Sequence, residues 1–152
     1  MIMSKKKQAQ KGSSGKATKK VVSIAESSNA SKPIWRFDKL DRDGEFRFDL
    51  QRQEFNHQEV LSKLIDYGNM TWKEITQQTH DRKNHTKHHF LDYDGLSNAA
   101  KKRIKKLNLQ EETDIIFSFA LQNKLRIIGL RENNEFHIVW YDPNHEFYPS
   151  SK

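Results

Sequence analysis

Two adjacent apolar-rich runs near the end of the chain can be read with a period of two. Leu125, Ile127 and Gly129 interleave with Arg126, Ile128 and Leu130, and Phe136, Ile138 and Trp140 interleave with His137, Val139 and Tyr141. A period of two on both sides of Asn133-Asn134 predicts a β-hairpin, because Asn tolerates the positive φ of a tight turn. The run IIFSFAL after Asp114 predicts a strand before it, turned by Leu121-Gln122-Asn123-Lys124. Upstream, Trp35 and Phe37, then Phe46, Phe48 and Leu50, alternate around Asp41-Arg42-Asp43-Gly44 and predict an N-terminal hairpin.

Between these strand regions the period changes to that of a helix. Asn56 with Glu59 has capping-box spacing, Val60, Leu61, Leu64 and Ile65 recur on one helical face, and Gly68 is a stop. Thr71 with Glu74 repeats the box before a short helix through Ile75. The stretch from Thr79 to Gly95 is polar, histidine-rich and without period. Ser97 can cap a third helix with Ala100, Ile104 and Leu107 on one side. The expectation is an α+β domain: an antiparallel sheet made of the N-terminal hairpin and three C-terminal strands, with two or three helices packed on one face. A two-residue turn at Asn133-Asn134 pairs Glu132 with Glu135, Leu130 with His137, Ile128 with Val139 and Arg126 with Tyr141. A two-residue turn at Gln122-Asn123 or Asn123-Lys124 adds Phe117, Phe119 and Leu121 to that face. A slip of one residue would reverse all of these assignments.

Charge divides the chain. Residues 1–33 hold eight lysines and one acid, whereas from Ile34 onward basic and acidic residues balance, so the formal +7 belongs to the N-terminal tail. With little apolar surface to bury, residues 1–33 are expected to be a disordered basic arm, and residues 34–152 a single domain. Such an arm raises non-specific affinity for nucleic acid through counterion release; a solubilising leader is the plainer reading. There is no cysteine, which excludes disulfides and thiolate metal sites. No apolar run reaches the roughly 20 residues of a membrane span, and Val21–Ala25 is too short for a signal-peptide core. The expected location is the cytoplasm, with no membrane partner.

Three groups of residues carry candidate chemistry. Arg126, Tyr141, His145 and Tyr148 gather around the end of the last strand. Cleavage of RNA by its own 2′-hydroxyl needs a proton acceptor, a cation for the phosphorane charge, and an acid for the leaving oxygen. Histidine or tyrosine serves the first and last, and the arginine fork matches phosphate oxygens. No metal or cofactor is required. The plainer reading makes the tyrosines packing residues and His145 a turn residue. His80, His85, His88 and His89 form the second group. Their spacing matches no zinc pattern, and an active-site histidine from this loop is a better expectation than a metal site. Lys101, Lys102, Lys105 and Lys106, with Arg103, form a single-sign stripe on the third helix that could contact RNA phosphates or be a solvated face.

The strand order, together with RIIGLRENNEFHIVWYDPNHEFY from Arg126 to Tyr148, resembles the RelE/ParE toxin superfamily. The resemblance spans Trp35 to Tyr148 in topology and Leu125 to Tyr148 in residues. It implies a RelE-like fold and a small endoribonuclease that cuts mRNA on the ribosome and is neutralised by an antitoxin protein. Arg126 would stabilise phosphate charge, His145 would be the acid or base, Tyr148 its neighbour, and Tyr141 a further tyrosine of the site. The W-x-D-P-x-H tip also looks like that of small bacterial proteins of mobile elements. The competing expectation is therefore a non-catalytic nucleic-acid-binding or protein-interaction module of such an element.

Overall fold

The computed structural model describes residues 28–80 and 85–149. Its strands are β1 (Ile34–Arg36), β2 (His89–Phe90), β3 (Ile116–Ala120), β4 (Arg126–Glu132) and β5 (Glu135–Asp142). They form one sheet in the order β1-β5-β4-β3-β2. β1 runs parallel to β5, and the other pairs are antiparallel. The helices are α1 (His57–Gly68), α2 (Trp72–Thr76) and α3 (Asn98–Lys106), with 3-10 turns at Tyr93–Gly95 and Gln110–Ile115. The fold is thus α+β, with a mixed rather than wholly antiparallel sheet.

The helix starts follow their caps. Asn56, Thr71 and Ser97 each accept a backbone N–H three residues on, and Thr71 with Glu74 closes a reciprocal capping box. The expectation that the helices share one face is corrected. Val60, Tyr67, Trp72 and Ile75 from α1 and α2 pack with Phe117, Phe119, Ile127 and Phe136. Ala100 and Ile104 of α3 pack with Ile116, Ile128, Leu130 and Trp140 on the other side of the sheet. Because both faces are covered, every residue of β3 is buried. Leu61 and Ile65, expected in the core, are exposed instead.

The N-terminal hairpin does not form. Gly44 makes a turn with φ of 84°, but the returning segment joins β5 rather than β1. The Asp41 and Tyr141 amides bond to the Val139 and Phe46 carbonyls, and Arg47 bridges to Trp140. Asp41 is the reason. It is buried, its carboxylate accepts two bonds from Arg103 and one from Trp140 Nε1, and it draws the chain across the sheet. The tail expectation falls mainly on residues 1–27, outside the described residues. Asn29 and Ser31, assigned to that tail, accept bonds from the amides that start α2.

Two departures in register decide what faces the site. The turn at Asn133, with φ of 59°, pairs Glu132 with Glu135 and Leu130 with His137 as expected. The register then shifts: Gly129 pairs with Ile138 but Ile128 pairs with Trp140, leaving Val139 as a bulge residue. Any Cβ at Gly129 would lie 2.0 Å from the His137 carbonyl oxygen, so only glycine fits beside the bulge. Beyond it Arg126 faces Asp142, not Tyr141. The β3–β4 loop is also one residue longer than expected, with Asn123 at φ 55° and Leu121 bonded to Leu125. Phe117 and Phe119 therefore lie with Ile127, on the face opposite Ile128 and Val139.

Candidate functional site

The shifted register places Arg126 beside Asp142 at the open end of the β4–β5 hairpin. The chain then folds back over that end. The buried Asp142 carboxylate accepts the Glu146 amide at 3.0 Å and the Phe147 amide at 2.8 Å. Phe147 is buried against Trp140 and Phe46, with ring centroids 4.6 and 5.0 Å apart. These anchors force His145 into the left-handed region, with φ of 59°, which costs energy for a residue with a Cβ. The result is a short, pinned loop that carries His145 and Tyr148 back to Arg126.

From the other side, His89 pairs with Ser118 across β2 and β3, and the histidine-rich connection adds His80 and Lys87. Arg126, Asp142, His145, Tyr148, His80, Lys87 and His89 line one cleft of about 30 Å³. That volume suits a water or a phosphate oxygen and is too small for a base. Three imidazoles, two cations, a tyrosine and one carboxylate thus converge on a space the size of an oxyanion.

Arg126 Nη1 donates to the carbonyls of Asn123 and Leu125, both at 2.9 Å. Its Nε and Nη2 have no hydrogen-bond partner among the described residues. Burial lowers the Arg126 pKa, partly offset by the Asp142 carboxylate. Burial also lowers the His145 pKa, and nearby Arg126, His80 and His89 push it further down, which favours the neutral imidazole. Burial raises the Asp142 pKa against three backbone N–H groups that lower it. His89 Nδ1 lies 3.0 Å from the Phe90 carbonyl. A carbonyl only accepts, so Nδ1 carries the proton and a neutral His89 presents a lone pair at Nε2. The His89 and Tyr148 rings meet edge to face at 6.0 Å.

The remaining candidates lie elsewhere. Tyr141 projects to the α1 side, buried and stacked on Phe55, with its hydroxyl accepting from the Asn56 amide and donating to the Glu54 carbonyl. It does not reach the cleft and serves the core. Arg103 grips Asp41 in a two-bond ion pair and belongs to the fold. Lys102, Lys105 and Lys106 are exposed on α3, and Lys101 lies 5.0 Å from the Tyr93 ring centre; none of the four lines the cleft. His85 is exposed, while His88 is buried in the α1-side core. Among the described residues no group of three His, Cys, Asp or Glu side chains forms a metal-binding set.

The histidine run flagged His80 and His89 without indicating which of its members would face the site. Lys87 and Ser118 were missed: one is a lysine in a polar stretch, the other the small polar residue in a strand of hydrophobics. A second opening, a groove of about 710 Å³ between Phe37, Leu50 and Leu61, is largely apolar. Its one imidazole, His57, is bonded to the Leu50 carbonyl.

Residues 49–152 match the family model described as "Uncharacterised protein UU032". The chain belongs to that family. The matched span holds every residue of the cleft and leaves out β1 and Asp41. No curated protein and no solved structure matches the chain. No helix among the described residues is long and apolar enough to cross a membrane.

Proposed function

We propose that the chain is a RelE-like, metal-independent endoribonuclease acting on mRNA, with the Arg126–His145–Tyr148 cleft as its centre. The observation that carries this reading is the convergence of Arg126, Lys87, His145, His89 and Tyr148 on one oxyanion-sized space. Neutral His145 accepts the 2′-hydroxyl proton. The 2′-oxygen attacks phosphorus as the bond to the 5′-oxygen breaks, giving a 2′,3′-cyclic phosphate. Arg126, through Nε and Nη2, and Lys87 stabilise the negative charge of the phosphorane. Tyr148, held beside His89, donates a proton to the departing 5′-oxygen. The ribosome as the setting for the cut and an antitoxin as the neutralising partner belong to the same proposal.

A second reading has a specific observation behind it. The cleft has room for a phosphate oxygen but not for a base, and the lysines of α3 lie outside it. A nucleic-acid-binding module of a mobile element, gripping one phosphate without cutting, would need nothing more. Expression of the wild type and of His145→Ala and Arg126→Ala variants in bacteria separates the two. Growth arrest with fragmented mRNA, relieved by either substitution, supports the nuclease. Intact mRNA at matched protein levels, with the protein still bound to RNA, supports the module.

A further inference from the structure

The cleft stops short of a nucleotide, so a substrate must lie on something beside it. Tyr148 points the way. A Cβ placed on Gly95 would lie 2.5 Å from the edge of the Tyr148 ring, so the 3-10 turn Tyr93–Gly95 packs directly against a wall of the cleft. The Ser97 amide donates to the Phe147 carbonyl at 3.0 Å and ties the turn to the loop that carries His145. On the same turn Tyr93 is 43% exposed, so part of its ring is open to solvent. The ammonium of Lys101 sits over one face of the ring, 5.0 Å from its centre, an attraction that holds the ring in place, so a base would stack on the opposite face.

We infer that Tyr93 is a stacking platform for a base of single-stranded RNA next to the phosphate held in the cleft, with Lys101 and Lys102 receiving the following phosphates. The inference rests on the RNA reading of the cleft and adds the class of substrate. An aromatic ring accepts any base on its face, so the platform is tolerant of sequence and selects for unpaired strands. A duplex keeps its bases in the stack and gains nothing from the ring. Asp92 and Asp94 flank Tyr93 and are exposed. Their charge repels phosphates from the turn itself, so the phosphates of the strand fall to the lysines of α3. α3 carries no acid in its first turn to repel them.

The test uses the full-length protein and a 2′-O-methyl oligoadenylate decamer, which cannot be cut, followed by fluorescence anisotropy at fixed salt. Tyr93→Ala should weaken binding roughly five- to a hundredfold, the range of one base–aromatic stack. Tyr93→Trp should bind at least as tightly as wild type, and Tyr93→Leu, which keeps bulk without a π face, should behave like Tyr93→Ala. A duplex of the same length should not distinguish the variants. If Tyr93→Ala and wild type bind the decamer equally while Arg126→Ala loses binding, the platform is wrong and the cleft reading stands. If the wild type binds no decamer, both fail. Equal melting temperatures of the Tyr93 variants exclude misfolding as the cause of a loss.

Discussion

Acidification should destabilise the domain through one buried imidazole. His88 is 1% exposed and lies between the rings of Tyr67 and Phe119, at 4.9 and 5.4 Å. Its Nδ1 accepts the Ala120 amide at 3.0 Å, so the proton sits on Nε2, which donates to Gln78 Oε1 at 2.8 Å. Protonation would set N–H against N–H inside the core. Burial pulls the His88 pKa down to about 3 from 6.5. The folded state thus keeps His88 neutral while the unfolded chain takes up a proton below about pH 6.5. Stability is complete above that value and falls by about 1.4 kcal/mol per pH unit below it, until about pH 3. Between pH 7 and pH 5 the loss is about 2 kcal/mol, or on the order of 10 °C in Tm for a domain of this size. Urea denaturation of wild type and His88→Gln at both pH values isolates the contribution. Asp142, whose pKa is raised, and His145, whose pKa is lowered, act in opposite directions and cancel in the difference between the proteins. The variant should be less stable at pH 7 and should lose about 2 kcal/mol less on going to pH 5. Equal losses, or an NMR titration of His88 near 6.5, would refute the reasoning.

Other substitutions separate fold from site. Tyr141→Phe removes a hydroxyl bonded on both sides and should cost about 1 kcal/mol in denaturant titration while leaving RNA cleavage at the wild-type rate. Arg103→Met strips Asp41 of two bonds and leaves a buried carboxylate, so it should cost about 3 kcal/mol or more, read as a fall in Tm. Gly95→Ala should push the Tyr148 ring aside and lower cleavage with a smaller effect on Tm, whereas Gly129→Ala should prevent folding, measured as loss of soluble protein. In a pH–rate profile the limb assigned to His145 should fall below the usual histidine value, and Arg126→Lys should change the rate more than the position of that limb.

Much of the architecture was legible because local signals agreed with tertiary ones. The three caps, the Asn133 turn and the last three strands follow from residue type and period alone. The N-terminal hairpin failed because a buried Asp41, paired with residues 62 and 99 positions away, overrode an alternating pattern with its own turn. Burial on both sheet faces hid the sidedness of the strands, since a period of two carries no contrast when both sides are apolar. The bulge at Val139 could have been suspected from Gly129, a glycine inside a strand, and its consequence was to exchange Tyr141 for Asp142 at the site. Arg126, His145 and Tyr148 were singled out because they gather where a strand ends and the chemistry exceeds what a turn needs; the three line one cleft. Lys87 and the division of the histidine run were not readable, because which imidazole turns inward depends on β2 pairing with β3, and two residues leave too short a pattern to see.

We propose that the cleft cuts RNA by internal attack without a metal. Mass spectrometry of products from a single-stranded RNA, incubated with the full-length protein in EDTA with and without ribosomes, tests it most directly. The fragments should end in a 2′,3′-cyclic phosphate and be absent with His145→Ala, and no cut should fall at a position carrying a 2′-deoxy sugar. Cleavage at the 2′-deoxy position, or intact RNA under both conditions from a folded protein, would contradict it.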